Sequence, residues 1–359
     1  MKIDVVIGNP PYQVSDEGIN KDSATPIYHH FIDRVKDLEP NYISMIIPSK
    51  WMKGGKGLNQ FRKRMIDDTR ISHLVDFQDG IEIFPSVEIS GGVCYFLWES
   101  NHNGKVDYIY HALNGEVDKS TRYLKNTVTD NIIRDSRQLS IIEKAAIGEE
   151  VFFDSIVSPR KPFGMGTNFF NSYKYTYDEH MEGLVSVHHV SGNRGSKRNV
   201  SYVHSDDIPR SIESVDKYKL FFSKAYGYRS TVPPEIILGT PGSACTETFL
   251  KIGDFDTSEE MDNCLTYIKT KFFRALLYYN RYSLSITRGA FSLIPMQDFS
   301  KPWTDEELYK KYKLNDDEIA YIEDNIDPMY DQVNPVDLEV DLVDSELEND
   351  WDREEGKIY

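Results

Sequence analysis

The sequence has little cysteine, no long hydrophobic run and no excess of positive charge. Its three cysteines, Cys94, Cys245 and Cys264, lie far apart and form no Cys-x-x-Cys pair, which argues against a disulfide framework and a zinc site. No apolar stretch approaches the length of a membrane-spanning helix, and the N-terminus has no signal-peptide pattern. We therefore predict a cytoplasmic protein with no membrane segment and no bound metal.

The net charge of −17 is concentrated at the C-terminus. Residues 304–359 contain 20 acidic and 5 basic residues, which leaves 38 acidic and 36 basic residues for the first 303 positions. The body of the chain is therefore nearly neutral. It can still present a basic surface to nucleic acid, because phosphate binding depends on local charge. Residues 331–359 are predicted to form a loosely ordered acidic tail.

Strand and helix patterns alternate along residues 1–150, which predicts an α/β domain with a mostly parallel sheet. A helix is expected to start at Thr25-Pro26, and residues 104–111 are expected to add an antiparallel strand. From about residue 152, short strand-like runs and turn-rich loops predict a mixed α+β domain over residues 151–330, with one helix at 259–279 followed by extended structure at 282–295. The patterns that predict strands lie at residues 3–7, 42–47, 71–77 and 93–98, and those that predict helices at 27–38, 58–67 and 138–146.

The strongest functional signal is Asn9-Pro10-Pro11-Tyr12, which directly follows the first predicted strand. The segment resembles the catalytic signature of methyltransferases that act on exocyclic or amide nitrogens. It stands at the carboxyl end of a strand in an α/β sheet, where such folds place their sites.

The residue types fit that chemistry. An adenine amine is a poor nucleophile because its lone pair is delocalised into the ring. The Asn9 side-chain oxygen and the Pro10 carbonyl can each accept one of its N–H hydrogens, which aims the lone pair at a methyl group. Proline restricts the backbone, so the carbonyl is held in place before the substrate arrives. Tyr12 can stack on a base that has been flipped out of the duplex.

Three further segments extend the resemblance to the γ-type N6-adenine DNA methyltransferases of restriction–modification systems. Residues 46–51 (Ile-Ile-Pro-Ser-Lys-Trp), 61–77, and 83–87 followed by Gly91-Gly92-Val93 are similar to successive family motifs in order and spacing. The resemblance implies a partial Rossmann-like methyltransferase sheet and S-adenosylmethionine as the methyl donor. It also implies that Phe84 packs against the flipped base opposite Tyr12. Residues 151–330 more loosely resemble a DNA target-recognition region.

The chain departs from this family at its start. The family binds S-adenosylmethionine through a Gly-rich loop and an acidic residue that precede the catalytic motif, whereas eight residues precede Asn9 here. We therefore assign no cofactor-binding residues. We expect a partner polypeptide or a further N-terminal portion to supply the donor site. Without that half of the sheet, the strand at residues 3–7 should have an exposed edge.

Basic residues near the Gly-rich loop and in later loops are candidates for contacts with double-stranded DNA. Two alternatives to adenine methylation remain open: methylation of glutamine or RNA guanine by an enzyme with the same signature, and a truncated, non-catalytic DNA-recognition module. A restriction endonuclease in the same system is also left open, although no nuclease cluster is evident. The DNA-contact candidates are Lys50, Lys53, Lys56, Arg160, Lys161, Arg194, Lys197 and Arg198.

Overall fold

A computed structural model describes residues 3–15, 24–55, 57–87, 89, 91–172, 177, 181–191, 197–225, 230–233, 236–281 and 286–329. The strands are β1 (Val5–Gly8), β2 (Gln13–Ser15), β3 (Ala24–Pro26), β4 (Tyr42–Pro48), β5 (Ile71–Phe77), β6 (Val93–Glu99), β7 (Val106–His111), β8 (Val117–Arg122), β9 (Leu184–Ser191), β10 (Lys197–His204), β11 (Tyr218–Ser223), β12 (Ile236–Gly239), β13 (Ser243–Cys245) and β14 (Phe249–Phe255). The α-helices are α1 (Tyr28–Lys36), α2 (Asn59–Asp67), α3 (Ser136–Ala146), α4 (Phe169–Ser172), α5 (Ser258–Lys269), α6 (Lys271–Asn280), α7 (Asp305–Lys311) and α8 (Asp316–Asn325).

The largest sheet has six strands in the order β1-β4-β6-β5-β7-β8. The prediction of a mostly parallel sheet is wrong, because β1–β4 and β5–β7 pair in parallel whereas the other three pairings are antiparallel. The described residues of the segment that joins β5 to β6 contain no crossover α-helix, and β6 returns antiparallel between β4 and β5. The strand predicted at 104–111 forms as β7, and its predicted antiparallel pairing holds with β8 but not with β5, to which it is parallel.

Helices α1 and α2 cover one face of this sheet. Their buried residues, Tyr28 and Ile32 of α1 and Phe61 and Met65 of α2, join a core that includes alternate residues of β4 to β7. The predicted helix start at Thr25-Pro26 is wrong, because these residues form β3, which pairs with β2. The tertiary pairing overrides the preference of proline for the first turn of a helix, and α1 begins at Tyr28.

Beyond residue 150 the chain mixes small sheets and helices, as the sequence predicts. Two three-stranded sheets have the orders β10-β9-β13 and β12-β11-β14. The single helix predicted at 259–279 is corrected, because the chain leaves the helical conformation at Thr270 (φ −59°, ψ 148°). The Thr270 hydroxyl accepts a hydrogen bond from the Phe273 amide at 3.1 Å and so caps α6. Residues Arg288–Phe291 form a 3₁₀-helix where extended structure was expected.

Three clusters of buried residues form the core of residues 1–328, which make one compact unit. The buried residues of α3 belong to the same core cluster as those of α5 and α6, and the first residue of α3, Ser136, donates hydrogen bonds to Asp118 of β8. The boundary predicted at residue 150 therefore lies after a helix that already belongs to the second core. The predicted acidic tail lies outside the described residues. None of the helices in the described part of the chain has the length and apolar character that a membrane span needs.

Candidate active site at the carboxyl edge of the sheet

The segments that carry the sequence motifs lie together along one edge of the six-stranded sheet, where its parallel strands end. Strands β1, β4, β5 and β7 run in the same direction, so their carboxyl ends share this edge, and β6 starts there. Open α/β sheets bind their ligands at such an edge. The segments brought together are residues 9–12 after β1, 49–52 after β4, 78–92 between β5 and β6, and 112–116 after β7.

The turn at residues 9–12 presents its asparagine to the outside. Asn9 is exposed, whereas Pro10 is buried and fixes the turn against the protein. The carbonyl of Tyr12 accepts a hydrogen bond from the amide of Ile27 at 3.1 Å, which ties the turn to the start of α1. The Asn9 side chain therefore lies at the surface of a rigid turn, where a ligand can reach it.

Tyr12 is half-buried beside this asparagine. Burial raises the pKa of the Tyr12 hydroxyl, and the nearby Cys94 thiol adds to the increase, whereas the Asn9 side chain partly offsets it. The hydroxyl oxygen is shielded from solvent and makes no full hydrogen bond within the described residues. Within the described residues the Tyr12 hydroxyl is thus left without a full partner beside the exposed Asn9.

Phe84 lies on the loop between β5 and β6, at the same edge. Its amide donates to the carbonyl of Gly80 at 2.8 Å and its carbonyl accepts from the amide of Val87 at 3.0 Å, so the loop turns tightly around it. Gly92 closes the loop with φ +86°, and a Cβ there would stand 2.0 Å from the carbonyl oxygen of Phe77. This position therefore requires glycine. Phe84 itself is half-buried.

A buried ion pair holds these segments together. Asp76, near the end of β5, is fully buried, and its carboxylate accepts from the Ser49 hydroxyl at 2.5 Å and from the Tyr108 hydroxyl at 3.0 Å. The Arg134 Nε lies 3.0 Å from the same carboxylate, and another Arg134 nitrogen donates to the carbonyl of Gly91 at 2.5 Å. The network thus links the segment after β4 to the end of the loop that carries Phe84.

Sequence reasoning missed both partners of this ion pair. A single aspartate within the apolar strand Ile71–Phe77 was the available signal for Asp76, because a charged residue is rarely buried unless it is paired. No local pattern identifies Arg134, which lies outside the segments that carry the family resemblance. Its role follows only from the tertiary structure.

A cavity of about 470 Å³ lies at this edge, between the sheet and the C-terminal helices. Its wall includes Ser49, Lys50, Gly91 and Arg134 on the sheet side and Tyr279 on the helix side. None of Asn9, Pro10, Pro11, Tyr12 and Phe84 lines it. The cavity is therefore separate from the predicted catalytic turn.

Lys53 is predicted from the sequence to contact DNA, and in the structure it lies in the wall of the cavity. Its ammonium group donates to the carbonyl of Tyr279 at 3.0 Å and so bridges the two sides. Burial and the positive charge of Arg134 lower the pKa of Lys53 to about 7, although Asp76 opposes the change. These contacts give Lys53 a structural position, and a contact with DNA remains a prediction.

The pKa of Lys53 predicts a pH-dependent stability. The ordinary pKa of lysine is 10.5. Between about pH 7 and about pH 10, Lys53 is therefore protonated to a greater extent in the unfolded chain than in the folded chain. The free energy of unfolding should therefore rise from about pH 7 to about pH 10, relative to that of Lys53→Met. Urea titrations of both proteins across this range would measure the difference. A difference that stays flat or falls with pH would contradict the assigned pKa.

The remaining candidates for DNA contact are dispersed. Lys50 is exposed at the carboxyl edge, beside the cavity, and Arg198 is exposed on β10. Arg160 is exposed, but its guanidinium pairs with Glu247 at 2.6 Å. Lys161 adopts a left-handed conformation with φ +60°. Lys56 and Arg194 lie outside the described residues, as does the side chain of Lys197 on β10.

Comparisons with known proteins find similarity to restriction-modification and adenine-specific methylases. Residues 1–84 match the family model described as Eco57I restriction-modification methylase. A curated protein of Mycoplasma pneumoniae, an uncharacterised adenine-specific methylase, is 38% identical over 137 residues, which are 36% of this chain and 32% of that protein. The chain thus spans about a third of the length of this relative.

Solved structures of restriction–modification enzymes also align with the chain. The type IIL enzyme MmeI in complex with DNA aligns with 91% of this chain and 55% of its own, at 10% identity and a TM-score of 0.39. The type IIG restriction endonuclease BpuSI aligns with 87% of this chain and 49% of its own, at 13% identity and a TM-score of 0.37.

The family match covers the first part of the chain. Residues 1–84 are similar to the Eco57I restriction-modification methylase model, and the matched segment begins with the strand and turn that carry Asn9. The resemblance to adenine-specific methylases of restriction–modification systems is confirmed by both matches.

Proposed function

We propose that this chain is the base-binding and catalytic part of a site-specific DNA adenine N6-methyltransferase. The observation that supports this most directly is the exposed Asn9 side chain on a buried-proline turn at the carboxyl edge of the sheet. In this proposal Asn9 and the Pro10 carbonyl accept the two hydrogens of the adenine amine. The ring of Tyr12 stacks on the extruded base, and Phe84 packs on its other side.

In this proposal the residues of this chain act by positioning the adenine amine. The Pro10 carbonyl is fixed by the buried ring before substrate binds, so aligning the amine costs little further reorganisation. The Asp76–Arg134 pair fixes the end of the loop that carries Phe84. Double-stranded DNA is the proposed substrate, and the domain beyond residue 150 is proposed to read its sequence.

S-adenosylmethionine is the methyl donor that the family implies, and the described residues do not form a site for it by themselves. Asn9 follows β1, which is a terminal strand of the six-stranded sheet. Within the described residues β1 pairs with β4 on one side, and no strand pairs with its other side. The donor would supply the methyl group when bound, and the residues of this chain hold the acceptor amine. We therefore propose that another polypeptide segment provides the donor site.

This proposal predicts that the isolated chain binds S-adenosylmethionine weakly or not at all. The reason is that a Gly-rich loop and helix N-terminus, which normally hold such a ligand, are absent from the described residues beside β1. Calorimetric titration of the purified chain with S-adenosylmethionine measures this directly. Binding with a low-micromolar dissociation constant would refute it.

Tyr12→Ala should weaken the stabilisation of an extruded adenine by about 1–3 kcal/mol, the contribution of one base–aromatic stack. Tyr12→Phe is the matched control, because the Tyr12 hydroxyl makes no full hydrogen bond within the described residues and the ring is retained. The fluorescence of 2-aminopurine placed at the target adenine reports extrusion. Equal behaviour of the alanine and phenylalanine variants would show that the ring does not stack on the base.

A further inference from the structure

The cavity of about 470 Å³ is a recess between three parts of the fold. One wall comes from the segments after β4, β5 and β7, a second from the start of α3, and a third from the end of α6 and from α8. Much of this wall is buried, since Tyr110 is 6% exposed, Asp135 1% and Tyr279 2%. Small-molecule sites in proteins measure about 300–1,000 Å³, so the cavity has the size of a site for a small ligand.

Aromatic rings and side-chain amides form part of the lining. Planar rings bind planar ligands by stacking, and amides both donate and accept hydrogen bonds at the edge of a heterocycle. This combination of side chains fits a nucleobase. The tyrosines in the described lining are Tyr110, Tyr278, Tyr279 and Tyr321, and the amides are Gln78, Asn114, Gln138 and Asn325.

Tyr279 carries a buried hydroxyl that the fold leaves unsatisfied. This hydroxyl makes no hydrogen bond within the described residues. The hydroxyl of the neighbouring Tyr321, by contrast, donates to Asp135 and accepts from Gln138, both at 3.1 Å. A buried polar group without a partner destabilises the fold, and a ligand that bonds to it recovers the loss. The Tyr279 hydroxyl therefore indicates where a polar atom of a ligand is expected.

The described lining carries an excess of positive charge. Its cations are Lys50, Lys53, Arg134 and Arg281, and its acidic residues are Glu116 and Asp135. Four positive and two negative charges leave a balance of +2. Behind the wall, Arg137 pairs with both Glu116 and Asp135, and Asp76 pairs with Arg134, so these two further charges cancel each other. The lining should therefore attract an anionic group.

Two of these cations already repel each other. Burial lowers the pKa of Lys53 to about 7, and the positive charge of Arg134 adds to the decrease, whereas Asp76 opposes it. The ammonium group of Lys53 is therefore short of negative charge nearby. A phosphate in the cavity would supply that charge to both side chains.

We propose that this cavity binds a free nucleotide, with its base among the tyrosine rings and its phosphate near the cations. The site is distinct from the one proposed for the target adenine, because neither Asn9 nor Tyr12 nor Phe84 lines it. The inference does not depend on methyl transfer. It goes beyond the proposed function by assigning a second ligand to the chain.

The chemistry of the lining separates a free nucleotide from two other ligands. S-adenosylmethionine carries a sulfonium, an ammonium and a carboxylate, so its net charge is positive and a cationic lining repels it. A nucleotide of duplex DNA reaches a recess only after it leaves its base stack, whereas a free nucleotide enters without that loss. A free nucleotide would also contact both the sheet and the C-terminal helices, and so stabilise the protein against unfolding.

Calorimetric titration of the purified full chain with each of the common ribonucleoside monophosphates tests the proposal. The nucleotide that binds most tightly is then compared with its nucleoside and with inorganic phosphate. We expect the nucleotide to bind roughly tenfold more tightly than either fragment, because only the nucleotide contacts the rings and the cations together. The unfolding temperature should rise with nucleotide concentration. No binding by any of these nucleotides up to about 1 mM would overturn the proposal.

Two tyrosines provide a matched pair of variants. Tyr28 and Tyr279 are both 2% exposed, and the hydroxyls of both make no hydrogen bond within the described residues. Tyr28 lies on α1, in the core of the six-stranded sheet and away from the cavity. Tyr279→Phe should weaken nucleotide binding roughly tenfold without lowering the stability of the ligand-free protein, whereas Tyr28→Phe should leave the affinity unchanged. Equal affinities of the two variants would contradict the assigned ligand contact.

Lysine substitutions test the position of the phosphate. Lys50→Gln should weaken nucleotide binding roughly fivefold and leave binding of the nucleoside unchanged, because the exposed ammonium group contacts only the phosphate. Lys105→Gln is the control, since Lys105 is exposed just before β7, at the opposite end of the strand from the cavity. An equal effect of Lys50→Gln on nucleotide and nucleoside would contradict this orientation.

Competition identifies the source of the ligand. We expect neither S-adenosylmethionine nor a short DNA duplex to displace the bound nucleotide. Displacement by S-adenosylmethionine would assign the cavity to the methyl donor, and displacement by the duplex would assign it to the path of DNA, so either result would overturn the proposal. Neither result bears on whether the chain methylates adenine, which is measured separately.

Discussion

Replacement of Asn9 by alanine should reduce the rate of adenine methylation by about 10²–10³-fold while leaving the affinity for DNA nearly unchanged. The side chain lies at the surface of the turn after β1, so its removal leaves no cavity in the core. In the proposed site it accepts one hydrogen of the adenine amine, and this contact orients the nucleophile. Methylation rates and DNA dissociation constants, measured on the complex with the proposed donor-binding segment, separate the two effects.

The matched control is Asn101→Ala. Asn101 is an exposed asparagine in the turn after β6, at the opposite end of the strands from Asn9. We expect this variant to retain full activity. If Asn9→Ala lost affinity for DNA in proportion to its lost rate, Asn9 would be a binding residue and not one that orients the amine.

Arg134→Ala should destabilise the protein by about 3–5 kcal/mol, because it leaves the buried carboxylate of Asp76 without its paired guanidinium. Asp76 is fully buried, and the hydroxyls of Ser49 and Tyr108 remain its other partners. The free energy of unfolding in urea measures the loss. The same substitution removes the hydrogen bond to the carbonyl of Gly91, so the loop that carries Phe84 should also exchange its amide hydrogens faster.

The double variant Asp76→Leu with Arg134→Met is the control for this prediction. Replacement of a buried ion pair by apolar residues of similar volume is often neutral, so most of the lost stability should return. Faster exchange in the loop should persist, because methionine cannot donate to Gly91. If Arg134→Ala were as stable as the wild type, the Asp76–Arg134 ion pair would not stabilise this part of the sheet.

The sequence alone located most elements of the first domain. Apolar runs at β4, β5 and β6 and helical spacing at α2 and α3 are local signals, and the structure confirms the positions of these elements within a few residues. Strand direction is not local. The insertion of β6 between β4 and β5 depends on how the loop at residues 78–92 returns to the sheet, and periodicity contains no information about this pairing.

The candidate site was predictable in part for the same reason. Asn9 to Tyr12 are contiguous, and their residue types fit the chemistry of amine methylation, so they could be predicted as site residues from the sequence. The Asp76–Arg134 ion pair joins residues 58 positions apart, and Lys53 donates a hydrogen bond to the carbonyl of Tyr279, which is distant in the sequence. Such contacts leave no local sequence pattern. The break between α5 and α6 had a local signal, since threonine is a preferred N-cap, but a continuous apolar face masked it.

The most direct test of the central claim is the chemical identity of the methylated product. The complex of this chain with the proposed donor-binding segment is incubated with unmethylated bacterial genomic DNA and S-adenosylmethionine labelled in its methyl group, and the DNA is then digested to nucleosides. We expect the label to elute with N6-methyladenine and the Asn9→Ala variant to lose it. Label in N4-methylcytosine, in RNA or in a protein glutamine, or equal labelling by the Asn9 variant, would contradict it.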